Sequence, residues 1–521
     1  MLDEKIKEQL KTVFLLLEKE YTLVAQVATN HSSRGELVEL LQEVASCSPQ
    51  IHYEEQVVEQ GLLLRIRKGE EEWSPFTFRA VPTGHEFSSL VMALLNMDGK
   101  GKNIPDALFI QRIRNLKGKH KVKSYISLSC TNCPEVVQAF NLIAILNPNI
   151  SHEIIDGALH QEEVEALSLQ GVPSVFIGEE LVHAGKASLS LLVERLEKRL
   201  GQTAAVETQP VKKYDVVVIG AGPAGASAAI YSARKGLQVA VIADRVGGQV
   251  KDTVGIENFI SKTYTTGKEL ADALQAHLST YPIATFEHRF VQSIEPQQEG
   301  HLIHVQPNET FLATAVIIAT GAGWRKLNVP GETVYSGRGI AYCPHCDGPF
   351  YKDMEVAVVG GGNSGLEAAI DLSGICKRVT VVEFMEELKA DKVLQDAAAK
   401  RDNIEIRTYA QVSEVVGDGE KVTALRVKDR ATNQVSDVPL AAVFVQIGLL
   451  ANTAPFKQLL QTTVGGEIQI DEKCRTNIPG IYAAGDVTAI PYKQIIIAMG
   501  EGAKAALAAY EDRIVGRLVG E

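Results

Sequence analysis

The stretch YDVVVIGAGPAGASAAIYSARKGLQVAVIAD, residues 214–244, constrains the fold more than any other part of this 521-residue chain. An unbroken apolar strand runs into Gly220, Gly222 and Gly225, a helix of small residues follows, and a second apolar strand ends at Asp244. Glycines at this spacing between strand and helix bring backbone amides and a helix N-terminus up to a pyrophosphate, and an acid about 20 residues on can take a ribose hydroxyl. The pattern returns in MEVAVVGGGNSGLEAAIDLSGICKRVTVVEF, residues 354–384, with Gly360, Gly362, Gly365 and the acid Glu383. Two dinucleotide-binding modules on parallel sheets are expected. One site with a degenerate structural copy is the alternative, disfavoured because both copies keep all three glycines and the acid.

Two CxxC pairs stand apart from these fingerprints, Cys130 and Cys133 in SCTNCPEV and Cys343 and Cys346 in AYCPHCDGPF. The motif sets two thiols within one helical turn, with the first at a helix N-terminus where the dipole favours thiolate, a geometry for exchange. A zinc site built from all four cysteines is the rival. The pairs lie far outside zinc-ribbon spacing and neither has a neighbouring ligand pair, so no metal is expected. His345, between two cysteines, reads as a residue that tunes thiol acidity rather than as a general base. Asp347, directly after the pair, is a candidate proton donor to a thiolate, or an N-cap of a following helix.

Length alone suggests three or four domains. The net charge is −12, without a basic run or a basic patch interleaved with aromatics, so nucleic acid and anionic membrane are not expected partners. The N-terminus MLDEKIKEQLKTVFLLLEKE lacks the apolar core and cleavage site of a signal peptide, and nowhere do 18 apolar residues run together. Seven cysteines, with Cys47, Cys376 and Cys474 outside any motif, do not suit a secreted disulfide framework. A cytoplasmic protein is expected, in which those three are bystander thiols.

Before residue 200 the chain repeats itself at a spacing of about 99 residues. ELVELLQEVASCSPQIHY (36–53) lies over EVVQAFNLIAILNPNISH (135–152), SPFTF (74–78) over VPSVF (172–176), and TGHEFSSLVMALL (83–95) over AGKASLSLLVERL (184–196). The second copy runs strand, CxxC, helix, strand, Pro173 loop and hairpin, the order of a thioredoxin-like unit. The first holds His31 and Arg34 where the thiols belong, and reads as a structural partner or docking surface. The expected class is α/β, tandem thioredoxin-like folds followed by two Rossmann-like modules. The divisions are 1–100 and 101–200 for the repeats, 201–213 for a flexible linker, 214–328 with 452–521 for one nucleotide module, and 329–451 for the other.

Residues 213–521 resemble the flavin disulfide reductases of the low-molecular-weight thioredoxin reductase type, through GAGPAG, GGQ (247–249), ATG (319–321), CPHCDG (343–348), GGGNSG and AAGDV (483–487). The resemblance implies FAD at the first fingerprint, with Gly248, Gln249, Thr320, Gly321, Gly485 and Asp486 completing the flavin site. It also implies that Asp347 is the proton donor, and that the inserted module swings on two crossings near 326–330 and 448–453. With the duplicated N-terminal half added, the whole chain resembles the family of the F-type flavoprotein subunits of bacterial alkyl hydroperoxide reductases. That family passes electrons from NADH through FAD and both dithiols to a peroxiredoxin, the C-type subunit of the same system. The resemblance implies a homodimer, with Cys346 facing the flavin and Cys343 exchanging with the Cys130 to Cys133 disulfide. It places Glu86 beside the N-terminal dithiol as an acid or base, where a lone acid would otherwise read as a solvated helix residue. Glu383 would accept from a ribose 2′-hydroxyl and repel a 2′-phosphate, and Glu386 and Glu387 add charge where NADPH-using thioredoxin reductases carry arginines; NADH is therefore expected. Other readings are a thioredoxin reductase or peroxide-forming oxidase without a dedicated partner, and a non-enzymatic flavin redox sensor.

Overall fold

The structure, a computed structural model, describes residues 2–70, 72–130, 132–167, 169, 172–204, 209–253, 255–306, 308–336, 338–342 and 344–518. Cys343 lies outside the described residues, and of His345, Cys346 and Pro349 only the backbone is described. The chain divides into two compact units at 206/207.

The first unit is built on one nine-stranded sheet. Tyr21–Ala28 is flanked by Ile51–Val58 in parallel and Leu62–Lys68 in antiparallel sense. His120–Ile126 is flanked in the same way by Ile150–Asp156 and Ser174–Ile177. Phe76–Arg79 pairs with Leu62–Lys68 on one side and, in parallel, with Ile150–Asp156 on the other, so it joins the two halves. These pairings correct one part of the repeat alignment. Ser174–Ile177 is the counterpart of Leu62–Lys68, and Phe76–Arg79 is the counterpart of Glu180–Ala184. A short apolar run after a proline, as in both SPFTF and VPSVF, does not say which strand of the hairpin it forms.

The joint is also a joint in the core. Leu23, Leu64, Phe76, Phe78 and Leu90 from the first half share one cluster with Ile126, Cys130, Cys133, Val137 and Ile154 from the second. Helix Phe87–Met97 packs beside helix Cys133–Leu146. Each such side chain, buried to within a few per cent, contributes roughly 1.5–3 kcal/mol relative to exposure, and neither half could cover its share alone.

The expected flexible linker is shortened at both ends. Thr203 N–H donates to the Asn115 carbonyl at 2.8 Å and Gln202 bridges to Leu116, which holds the end of the first unit to its own body. The second unit's first strand already begins at Lys212. Residues 205–208 lie outside the described residues.

The second unit carries two sheets with parallel cores of the same design, the first extended beside Glu309–Ile318 by the antiparallel strands Gly300–Gln306 and Phe290–Gln297. In one, the order is Ile283–Phe286, Val239–Ile242, Lys212–Ile219, Glu309–Ile318, with Ile481–Ala483 beyond the last. In the other it is Ile404–Arg407, Arg378–Val382, Glu355–Val359, Ala442–Val445, Ile340–Ala341. Near-continuous burial along Val216–Ile219 and Val356–Val359 is what strands covered on both faces require. A three-stranded antiparallel sheet, Ala410–Gly417, Val422–Asp429 and Val435–Pro439, is attached to the second. The chain crosses between the two modules through an antiparallel ribbon, Ala322–Trp324 with Leu449–Ala451. The ordered crossing thus starts before 326, and Leu327 and Asn328 are themselves held, their N–H groups donating to the buried Glu332 carboxylate at 2.8 and 2.7 Å.

A shared core predicts shared unfolding. Residues 2–204 expressed alone should melt in one cooperative transition by circular dichroism, whereas 2–100 and 101–204 expressed separately should show no folded baseline. Independent melting of either half would mean that the common sheet is not what stabilises them.

Candidate functional site

At the first fingerprint, strand Lys212–Ile219 ends in Gly220, whose φ of 106° and closeness to Ala319 admit no side chain; an added Cβ would stand 2.2 Å from the Ala319 oxygen. At Gly225, one turn into helix Pro223–Arg234, it would stand 1.9 Å from the Gly220 oxygen. Gly222, the helix N-cap, has nothing within 4 Å of its Cβ position. The contrast identifies open space at a helix N-terminus, the shape a pyrophosphate needs. The other motif residues converge on this turn. Gly248, with φ of 55°, lies against Gly222; Thr320 follows Ala319; and Gly485, with φ of 77°, packs on Ala224. Burial pushes the Asp486 carboxyl up, opposed by Lys493. Asp244 sits at the end of strand Val239–Ile242, its carbonyl accepting from His288 N–H. Gly321, with φ of 69°, begins the crossing, where Thr320 and Asn452 exchange side-chain to carbonyl hydrogen bonds at 2.8 Å.

The second cradle repeats the construction. Added Cβ atoms at Gly360 and Gly365 would stand 2.3 Å from the Gln446 oxygen and 1.9 Å from the Gly360 oxygen, while Gly362, N-cap of helix Asn363–Ser373, faces open space. Glu383 follows strand Arg378–Val382 and is buried. Its Oε2 accepts from Gly361 N–H at 2.5 Å and its Oε1 from Met385 N–H at 2.7 Å, so the carboxylate is fixed in direction against the glycine turn.

The CPHCDG segment forms the short helix Pro344–Asp347, followed by the 3-10 turn Gly348–Tyr351. The helix that follows Asp347 is this single 3-10 turn rather than a long helix. Burial pushes the Tyr351 hydroxyl up and the Asp347 charge adds to it, placing that carboxylate near a half-buried phenol. Residues that sequence reasoning passed over surround this segment. Trp324 of the crossing stacks on Tyr342, with centroids 6.3 Å apart, and its Nε1 lies 3.2 Å from the Gln249 amide, whose oxygen accepts from it when the amide is turned to satisfy both neighbours. The Tyr342 hydroxyl donates to Glu332 at 2.9 Å. The only sequence signal was the aromatic directly before the CxxC.

In the first unit helix Cys133–Leu146 begins at the second cysteine, with Pro134 in its first turn. Cys130 precedes the helix by three residues, in a loop rather than at the helix N-terminus as expected. It is 7% exposed and its thiol lies 3.8 Å from the Val172 carbonyl, while Cys133 is fully buried. Burial pushes the Cys133 thiol far up, and Cys130 and Glu86 push the same way. Glu86 is not a solvated helix residue. It is fully buried, neither oxygen has a hydrogen bond of good geometry among the described residues, and burial raises its carboxyl to about 7, with the Ser89 hydroxyl opposing the rise and Cys130 adding to it. Gly84 brings it there. With φ of 55° it lies against the Leu128 carbonyl, which accepts from His85 N–H at 3.1 Å, so the first repeat's third helix starts on the CxxC loop of the second. His31 and Arg34 serve locally: Arg34 pairs with Glu55 at 2.6 Å, and His31 accepts from Ser33 N–H.

Cys47, Cys376 and Cys474 are buried thiols. Among the described residues no three His, Cys, Asp or Glu side chains group as metal ligands, and no helix is long and apolar enough to cross a membrane.

Comparison with known proteins gives a consistent picture. Residues 214–508 match the pyridine nucleotide-disulphide oxidoreductase family and residues 120–197 match a thioredoxin domain. The chain is 46% identical over 518 residues to the F-type subunit of alkyl hydroperoxide reductase from Pseudomonas putida, covering 99% of each chain. It is 44% identical to the corresponding F-type subunit from Staphylococcus aureus (strain Mu50 / ATCC 700699), covering 98% of this chain and 99% of the relative. Thioredoxin reductase from Streptococcus pyogenes MGAS5005 matches 59% of this chain and 100% of its own, at 38% identity and a TM-score of 0.56.

The buried carboxyl makes stability depend on pH. With a folded value of about 7 against an ordinary 4.5, Glu86 is neutral in both states below pH 4.5 and must ionise at a cost above pH 7. The stability lost across that window is about 3 kcal/mol. In urea unfolding of reduced residues 2–204, Glu86→Gln should gain that amount on the parent between pH 4.5 and pH 8. A constant difference would show that the carboxyl titrates normally.

Proposed function

The chain belongs to the family of F-type alkyl hydroperoxide reductase subunits and is a pyridine nucleotide-dependent flavoprotein disulfide oxidoreductase, and from that premise we propose that it reduces a peroxiredoxin disulfide with NADH, through FAD and two dithiols in series. Gly220, Gly222, Gly225, Asp244, Gly248, Gln249, Thr320, Gly321, Gly485 and Asp486 would hold FAD. Gly360, Gly362, Gly365 and Glu383 would hold NADH. When bound, the flavin supplies the carrier that takes two electrons from a nicotinamide and gives them to a disulfide. The cradles fit such groups because each N-cap glycine faces open space where its neighbours are packed.

The chain's own chemistry is thiol exchange. Cys343 thiolate would attack the Cys130 to Cys133 disulfide to form a mixed disulfide and release one thiolate, and Cys346 would then displace the other sulfur and close the Cys343 to Cys346 disulfide, with Asp347 supplying a proton to a departing thiolate. Cys130 thiolate would then attack the partner's disulfide to give a mixed disulfide, and Cys133 would resolve it, releasing the partner's dithiol. Resolution needs the Cys133 proton removed from a buried site, and Glu86, at about 7, is a carboxyl able to accept it near neutral pH.

The observation that carries this reading is the buried Cys133 with Glu86 beside it and Cys130 at the rim. A thioredoxin reductase or an oxidase without a protein client has no use for a second dithiol equipped with its own acid. We place the enzyme in the cytoplasm as a homodimer, with the peroxiredoxin, C-type subunit of the same alkyl hydroperoxide reductase system as its partner.

Cys130→Ser should leave NADH bleaching of the flavin intact in stopped-flow absorbance while partner reduction falls to background. Cys343→Ser should likewise spare bleaching but leave the first-unit disulfide oxidised; its rapid reduction in that variant would reverse the proposed order. Residues 207–521 alone should remain yellow and NADH-oxidising with a small acceptor, yet fail to reduce the partner. Comparable kcat/KM for NADPH and NADH would remove Glu383 from its assigned role.

A further inference from the structure

Two elements outside the second fingerprint hold the loop after Glu383. Arg430, at the turn between strands Val422–Asp429 and Val435–Pro439, lays its guanidinium 3.8 Å from the ring centre of Phe384 and 4.5 Å from that of Tyr409. Its Nη1 donates to the Phe384 carbonyl at 2.7 Å, and its backbone N–H donates to the Tyr409 carbonyl at 2.9 Å. Tyr409 in turn donates its N–H to the Met385 carbonyl at 2.7 Å, from a left-handed φ of 54° that a bulky residue keeps only where its surroundings impose it. The turn is itself locked, since the Asp429 carboxylate accepts from the N–H groups of Ala431 and Thr432 at 2.8 Å. Both carbonyls of the exposed pair Phe384 and Met385 are therefore fixed from outside, while the N–H of Met385 fixes Oε1 of Glu383.

We infer that Arg430 is a positioning residue that sets the preference of this site for a 2′-hydroxyl over a 2′-phosphate on the adenosine ribose. The inference rests on the reading that Glu383 selects NADH. A guanidinium against two rings and a carbonyl is engaged on its faces and one edge, so it acts on the nucleotide through the loop. With the stack intact, Glu383 keeps one direction and Glu386 and Glu387 stay tethered next to it. Without it, the loop can turn and the carboxylate loses its fixed aim. Lysine cannot substitute, because the arrangement uses a planar group with a directed N–H rather than a point charge.

The test uses the full-length flavoprotein with ferricyanide as acceptor, together with calorimetric titration by NAD⁺, which binds without turnover. Arg430→Gln should raise KM for NADH and Kd for NAD⁺ about tenfold, equivalent to about 1.4 kcal/mol. The kcat should stay within about twofold and KM for NADPH should hardly move, so that discrimination narrows. Arg430→Lys should behave like Arg430→Gln, and Tyr409→Phe, which keeps the ring, like the parent. Phe384→Ala should reproduce the loss, and the double variant should add nothing further. A larger loss for NADPH than for NADH would make Arg430 a phosphate ligand, and equal losses with a fallen kcat would make it merely structural; either overturns the inference. Discrimination retained in Arg430→Gln overturns it too, whereas a parent enzyme that does not discriminate overturns the Glu383 reading instead.

Discussion

At Gly225 and Gly365 a single methyl group would collide with the carbonyl oxygen one turn back, at 1.9 Å in each case. That contact sets how closely each fingerprint helix approaches its strand, and the nucleotide modules are arranged around it. Because the helix comes so close, the N-cap glycines Gly222 and Gly362 are left facing open space at the positive end of a helix. The same constraint spreads along the helix of the first fingerprint. An added Cβ at Gly502 would stand 2.0 Å from the Ala224 oxygen and one at Gly485 would stand 2.9 Å from the Ala224 Cβ, so helix Ile495–Ile514 and the turn at Gly485 both close on Pro223–Arg234 through small residues.

The first unit is organised by a different necessity, the need of each thioredoxin-like half for a cover it does not carry. Phe76–Arg79 pairs across into the second half, and helices Phe87–Met97 and Cys133–Leu146 are brought side by side. One consequence is chemical. The start of a helix in the half without a CxxC pair is delivered onto the CxxC thiols of the other, and it carries Glu86. A half with no CxxC pair thus still places a titratable group beside the dithiol.

What could be read from the sequence follows the range of the interactions. The glycine fingerprints, the CxxC pairs and the class of fold were legible because each is set by neighbours within one strand-turn-helix unit. The placing of Glu86 by a resemblance was legible, but its complete burial was not, since burial depends on a strand pairing between residues about 75 positions apart, Phe76 with His152. The repeat alignment failed at SPFTF for the same reason: its partners, not its residues, decide which strand it is. Arg430 left no trace, because cation stacking on Phe384 and Tyr409 joins three stretches whose order in the sequence carries no periodicity. The expectation that Cys130 starts a helix erred in the other direction, by extending a local rule three residues beyond where Pro134 lets the helix begin.

Glu383 and Glu86 show how one functional group is set in two surroundings. Both are buried carboxyls, one against a glycine turn and the other beside a dithiol. Glu383 accepts from two backbone N–H groups, and those donors fix its direction, which suits the proposed recognition of a hydroxyl by geometry. Glu86 has no hydrogen bond of good geometry on either oxygen among the described residues, and the Ser89 hydroxyl offsets its burial only in part. Burial without backbone donors favours the neutral form and lifts the carboxyl to about 7. Donors supplied to Glu86 would hold it charged and unfit it for the proposed proton transfer, and donors removed from Glu383 would leave it free to rotate. The difference between the proposed roles therefore lies in the backbone around each acid: a glycine turn and a pinned loop present their N–H groups to one, and no backbone N–H is presented to the other.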